Sequence, residues 1–284
     1  MALKAWLFAS RPKTLSAAVA PVLAGAALAL EENRDLPLRY ALYALLGAVF
    51  IQIATNFIND ALDFKRGADT AARLGPLRVT QAGLLSPESV LRAAYVCLGI
   101  AALFGIPLIL RGGWPLLVIG VASIVAAYAY TGGPYPLAYH GLGELFVLLF
   151  FGIVAVGGTY FVLTLRFGLH VFLAGLALGL LAVAILAINN LRDIDGDRAS
   201  NKRTLAVRIG ERGARVEVAI AALLPFALLL FMPRFFLTLA ALPVALVLVW
   251  KVYASRGAEL NRCLAIAGVL QWIFSLLFLA SVLI

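Results

Sequence analysis

The sequence predicts an all-α polytopic membrane protein: a bundle of about nine transmembrane helices with a cytoplasmic N-terminus and the C-terminus outside. Three observations predict it. Of the 284 residues, 63% are hydrophobic and 13% charged, a composition far from that of soluble domains. Apolar stretches of about 17 residues or more recur from end to end, each able to cross roughly 30 Å of hydrocarbon. Eighteen of the 23 Lys and Arg residues fall between these stretches on one side, which the positive-inside rule makes the cytoplasm.

The stretches follow in order. The first, 14–30, comes after "RPKT" and reads as a span and not a cleaved signal, because further spans follow it. The second, 38–60, runs into "NFINDALDF" (56–64) and a long charged connection, 61–88. The third and fourth are 89–110 and 114–131. The fifth, 142–164, opens near Glu144, and the sixth, 169–191, ends in "AINNLRDIDGD" (187–197). A second long charged connection, 192–214, leads to 215–232, 235–252 and 263–283. No linker or composition break marks a second domain, so 1–284 reads as one. Cys97 and Cys263 show no ligand spacing and read as small core residues.

The two charged connections resemble each other. Asn56 precedes Asp60 by four, Asn189 precedes Asp193 by four, and the pairs are offset by the same 133 residues. Four spans separate them, which suggests duplicated units, 1–140 and 141–255, with a ninth helix added. At about 100° per residue, Asn56, Asn59, Asp60 and Asp63 share one helical face. Asn189, Asn190, Asp193 and Asp197 do the same if Gly196 does not break the helix, while Asp195 points away.

Two carboxylate faces at one membrane depth repel unless a cation lies between them. Carboxylate and amide oxygens suit Mg²⁺, which keeps positions open for substrate phosphates. Nearby Lys65, Arg66, Arg73, Arg78, Lys202 and Arg203 suit anionic oxygens. Together these make a diphosphate site, in which metal and cations stabilise departing pyrophosphate. In so apolar a chain the simplest expected substrate is a polyprenyl diphosphate, and a dry, aromatic-walled interior would protect its allylic carbocation. Tyr128, Tyr130, Tyr135 and Tyr139 crowd the connection between the fourth and fifth spans. They serve either as an interfacial aromatic belt or as that wall. His140 and His170 read as interfacial. The net charge of +9 is explained by topology and anionic substrate groups, so no nucleic acid is expected. The expected partners are the two substrates and membrane lipid, with no obligate protein partner. The competing reading is a cation-coupled transporter, whose sites usually lie nearer the bilayer midplane.

At these residues the chain resembles the UbiA superfamily of intramembrane prenyltransferases. Asn59-Asp60-x-x-Asp63 matches the first family motif; Gly67 stands in the place of its last Asp, and Asp69 follows. Asp193 and Asp197 match the second motif. "RPKTLSAAVAPVLAG" (11–25), "GPLRVTQAGLLSP" (75–87), "TGGPYPLAYHGLGE" (131–144) and "NNLRDIDGDRASNKRTLAVRIG" (189–210) resemble the 1,4-dihydroxy-2-naphthoate polyprenyltransferases of menaquinone synthesis. The resemblance implies that Asp60, Asp63, Asp193 and Asp197, with Asp69, hold Mg²⁺ on the diphosphate, assisted by Asn56, Asn59 and Asn189. It implies that Lys65, Arg66, Arg78, Lys202 and Arg203 bind the diphosphate oxygens. The acceptor would be 1,4-dihydroxy-2-naphthoate, prenylated with loss of CO₂; a 4-hydroxybenzoate enzyme is the nearest alternative. Arg11 or Lys13 is the candidate cation for the acceptor carboxylate, and Tyr135, Tyr139 and Glu144 are further acceptor-side candidates. The protein is expected in the cell (inner) membrane, its site facing the cytoplasm.

Overall fold

The computed structural model describes residues 2–69 and 74–283, so Arg73 lies outside it. Among the described residues every regular element is helical. In order they are α1 (Ala2–Ser10), α2 (Ser16–Glu32), α3 (Arg39–Lys65), α4 (Pro87–Gly112), α5 (Trp114–Ala129), α6 (Gly143–Leu148) and α7 (Ala155–Thr164). There follow α8 (Leu169–Arg192), α9 (Ile194–Ala199), α10 (Leu205–Leu228), α11 (Leu242–Ala254) and α12 (Leu260–Leu283). Each of the nine apolar stretches falls on a helix. Among the described residues seven helical segments are long and apolar enough to cross a membrane, α5 is a shorter apolar helix, and α2 has 17 residues.

Hydrogen bonds between elements show which helix ends meet. Asn56 Nδ2 on α3 donates to the Ser10 carbonyl (2.9 Å) and to Thr14 Oγ1 (3.0 Å), Asn190 on α8 donates to Glu144 on α6 (2.7 Å), and Arg192 donates to Asn261 on α12 (2.8 Å). At the opposite end Tyr160 donates to Glu32 (2.5 Å) and Arg34 to the Val282 carbonyl (3.0 Å). Sequential helices therefore run antiparallel, and both polar clusters reach the same end of the bundle.

The fifth span is not one regular helix. A π-helical turn, Leu149–Val154, separates α6 from α7, and here the backbones touch. A Cβ on Gly152 would collide with the Gly175 carbonyl and the Gly179 backbone of α8. Small residues permit this approach where membrane helices gain by close packing. It presses α6, which carries Glu144, against α8, which carries Asn190.

A ring cluster closes the other flank. Phe226 of α10 meets Phe274 edge-on at 5.6 Å, and Phe278 stacks on Phe235 at 3.8 Å. On the same side Arg215, buried in α10, donates to the carbonyls of Val252 and Ser255 (2.9 Å to the latter) and to Glu211 (2.7 Å). It thereby satisfies carbonyls that the end of α11 leaves open. Arg215→Met should lower stability by about 2 kcal/mol, seen as an earlier thermal midpoint in detergent micelles. An unchanged midpoint would show that water replaces the guanidinium without cost.

Candidate active site

The first cluster is placed by how α3 ends. Gly67 adopts φ +71° just past the helix, and the Ala68 N–H reaches back to the Asp63 carbonyl at 2.9 Å. That left-handed turn suits glycine, which gives Gly67 a backbone reason to stand where the family pattern has Asp. Asp69 then faces Arg78, whose Nε lies 3.2 Å from its Oδ2.

Asp63 gathers most of the charge. It is 4% exposed and accepts from Tyr139 Oη at 2.8 Å, with Arg78 Nη2 at 3.5 Å and Lys202 Nζ at 3.9 Å. Lys202 is also 3.8 Å from Asp197 Oδ1. One ammonium thus bridges carboxylates from the two sequence clusters. Burial first, then the charge of Asp63, pushes the Tyr139 hydroxyl well above its usual range, so it stays a donor. The Tyr139–Asp63 bond therefore contributes fully at neutral pH. It is lost only as pH climbs past the ordinary tyrosine value, about 10, toward the raised one. Tyr139→Phe removes this bond and should slow turnover about tenfold or more, a charge-assisted bond being worth roughly 1.5–3 kcal/mol; steady-state rates at pH 7 check it.

The second cluster is organised by Arg192, whose side chain is wholly buried. Its Nε donates to Asp193 Oδ1 (2.8 Å) and Nη2 to Oδ2 (2.5 Å), while Nη2 also meets Asn189 Oδ1 (2.7 Å). Its Nη1 donates to Asn261, which in turn donates to the Leu74 carbonyl at 3.0 Å. The helix breaks at Asp193, not at Gly196: α8 ends at Arg192, and Gly196 lies within α9. Asp195 does point away, exposed beside Arg198.

Both clusters border a cavity of about 1490 Å³. Asn59, Asp63, Arg78, Asn189 and Lys202 form its polar end, and Arg11 and Glu144 also line it. Elsewhere its walls are mostly apolar, from α2, α3, α4, α5, α7 and α12. Arg11 holds a left-handed backbone, φ +50°, unusual for a residue with a side chain. Lys13 lies in the adjoining turn, but its side chain is outside the described residues.

Several expected residues sit elsewhere. Asp60 is turned from the cavity: its carboxylate accepts from the Val79 N–H (3.2 Å), the Thr80 N–H (3.0 Å) and the Thr80 hydroxyl. Lys65 pairs with Glu88 at 2.8 Å on the surface. Arg66 lies over the outer face of Tyr139 and bonds the Gly133 carbonyl. Arg203 is exposed, and it is its backbone that is engaged, the N–H holding the Tyr139 carbonyl at 3.1 Å and the carbonyl accepting from Arg208. Tyr135 is exposed and stacked on His140. Lys65 and Arg66 stand at the end of α3 and emerge on its outer surface, whereas Asp60 is covered by a segment that folds back over it. Among the described residues no three His, Cys, Asp or Glu converge as a ready metal site, so the five aspartates do not form a single cage. Instead Arg78, Arg192 and Lys202 neutralise Asp63, Asp69, Asp193 and Asp197 in pairs. Arg192 was not expected in this role.

Three comparisons with known proteins bear on this site. The profile of the UbiA prenyltransferase family matches residues 18–283. The 1,4-dihydroxy-2-naphthoate octaprenyltransferase of Mycobacterium tuberculosis is 39% identical, over 95% of this chain and 94% of its own. That of Haemophilus influenzae is 36% identical, over 99% and 96%. A structure of a UbiA homolog from Archaeoglobus fulgidus bound to GPP and Mg²⁺ superposes with a TM-score of 0.72 at 14% identity, covering 99% of this chain and all of that one. At that identity the superposition speaks for the fold.

Proposed function

The chain belongs to the UbiA prenyltransferase family, and from that premise we infer that it is a prenyltransferase of menaquinone synthesis. It moves a polyprenyl group from an allylic polyprenyl diphosphate to 1,4-dihydroxy-2-naphthoate, with loss of CO₂. The observation that carries the reading is the polar end of the cavity. There Lys202 bridges Asp63 and Asp197 beside Arg78, while the remaining walls are mostly apolar. A diphosphate head and a long hydrocarbon tail need that combination. The two relatives with nearly full coverage supply the acceptor: both are named for 1,4-dihydroxy-2-naphthoate.

The residues fit Mg²⁺. An ammonium already sits between Asp63 and Asp197, where two carboxylates need a cation, and amide oxygens of Asn59 and Asn189 line the same end. Mg²⁺ asks for only one or two carboxylates when substrate phosphates and water complete its shell. We assign its binding to Asp63 and Asp197, which would hold it, and it would supply positive charge against the leaving pyrophosphate. Arg78 and Lys202 bind the outer diphosphate oxygens. Tyr139 holds Asp63 in place, Arg11 meets the acceptor carboxylate, and the apolar walls keep water from the allylic cation. We orient this end of the bundle toward the cytoplasm, on the charge asymmetry of the connections, and assign the chain to the cell (inner) membrane.

The test is a product mass spectrum from purified protein, a polyprenyl diphosphate and Mg²⁺, with 1,4-dihydroxy-2-naphthoate and 4-hydroxybenzoate offered together. The expected product is a prenylated naphthalenediol lacking its carboxylate, absent when the metal is chelated. A prenylated 4-hydroxybenzoate would keep the site and change the acceptor. No product from folded protein would remove the enzymatic reading.

A further inference from the structure

One carboxyl on the cavity wall stands apart from the cation-paired set. Glu144, in the first turn of α6, is 7% exposed, and its Oε1 accepts from Asn190 Nδ2 at 2.7 Å. Its Oε2 is buried and, among the described residues, has no hydrogen-bond partner. No Lys or Arg pairs with it among them. A buried carboxyl oxygen left unsatisfied within a membrane helix is costly, and it marks a group with something to meet. Because both Glu144 and Asn190 line the cavity, what it meets is the substrate.

We propose that Glu144 is a catalytic residue that takes the acceptor's ring-hydroxyl proton and later returns it. The proposal rests on the naphthoate-prenylating reading above. The O–H bond breaks and its proton passes to Glu144 Oε2, so that the hydroxyl carbon becomes a ketone as the ring attacks. The carboxylate-bearing carbon forms the new C–C bond to the allylic carbon, whose C–O bond breaks with its electron pair leaving on pyrophosphate. A carboxylate beside a ketone then loses CO₂, and the electron pair of the broken C–C bond returns to the ring as an enolate. That oxygen recovers the proton from Glu144. The net reaction releases CO₂ and pyrophosphate but no proton, so the site needs a holder and no path to bulk water. A dry carboxyl fixed at one oxygen by an amide suits that task. The ionisable groups facing it are Tyr130, from the end of α5, and Glu217, from α10, each within electrostatic reach.

The experiment uses wild type, Glu144→Gln and Glu144→Asp in lipid nanodiscs, with farnesyl diphosphate and Mg²⁺ as donor. Gln still accepts from Asn190, so folding and donor affinity should match wild type. Its kcat with 1,4-dihydroxy-2-naphthoate should fall by about 100-fold or more. With a ring-fluorinated dihydroxynaphthoate, whose hydroxyl is more acidic, the loss should shrink by about tenfold, and Glu144→Asp should recover part of the rate. A Gln variant with wild-type kcat, an equal loss with both acceptors, or a loss confined to donor affinity would overturn the role. Wild type that makes no prenylated naphthalenediol would instead overturn the reading of the function itself.

Discussion

Asp63→Asn is expected to cut prenyl transfer about a thousandfold or more, with the protein still inserted and folded. Asp63 is where the cluster converges: Tyr139 donates to it, Arg78 and Lys202 face it, and through Lys202 it is tied to Asp197. Removing its charge leaves two cations with one carboxylate fewer and deprives the metal of a ligand. The rate loss should therefore appear in kcat, measured as product per minute by mass spectrometry. Asp60→Asn should also stop turnover, but by another route. Asp60 accepts from the Val79 and Thr80 backbone and from the Thr80 hydroxyl, so it fastens the segment that carries Arg78. An Asn there turns an N–H toward a donor, and the segment near 75–86 should become open to protease. Asp63→Asn should leave the segment protected. Wild-type turnover in purified Asp63→Asn would remove that carboxylate from the site.

Much of this was legible in the sequence because apolar runs of that length have one physical use. All nine stretches proved helical, and the Asn and Asp residues closing the second and sixth do meet at one end of the bundle. The helical projection placed Asn59 and Asp63 on the cavity correctly. It failed at Asp60, since a projection knows only its own helix. The chain returns twenty residues later to cover that carboxylate with Val79 and Thr80. Cations were judged by nearness in sequence to the aspartates, which named Lys65, Arg66, Arg78, Lys202 and Arg203. The structure brings Arg78 and Lys202 to the carboxylates, one by a folded-back segment, together with Arg192, which was not named. The two clusters also differ more than their matching spacing implies. Asp60 holds backbone, whereas Asp193, at the equivalent offset, is held by its neighbour Arg192. The interruption of the fifth span was hidden for another reason. A π turn leaves no break in hydrophobicity, and only the Gly152, Gly175 and Gly179 contact reveals it.

Arg192→Met should be the most damaging single change outside the carboxylates. Its guanidinium spends its donors on three groups: a fork on Asp193, a bond to Asn189 and a bond to Asn261. Only arginine offers a planar fork with donors to spare for the other two. Met fills a similar volume but takes the guanidinium fork away from Asp193, whose side chain is only 15% exposed, an error worth about 3 kcal/mol in such surroundings. The damage should spread along two lines. Asn189 would lose its orientation at the polar end of the cavity, and Asn261, which also bonds the Leu74 carbonyl, would no longer tie α12 and the first connection to α8. The expected result is a lower thermal midpoint together with a turnover loss of about 100-fold, an estimate from misplacing a polar contact in a preorganised site. Asn261→Leu tests the second line alone. Combined with Arg192→Met it should cost less than the sum of the two, because both variants break the same bond. Strict additivity would mean that the Arg192–Asn261 bond carries no energy. The link from the second aspartate cluster through α12 to the first connection would then have to be abandoned, and the coupling of the two halves of the site would rest on Lys202 between Asp63 and Asp197.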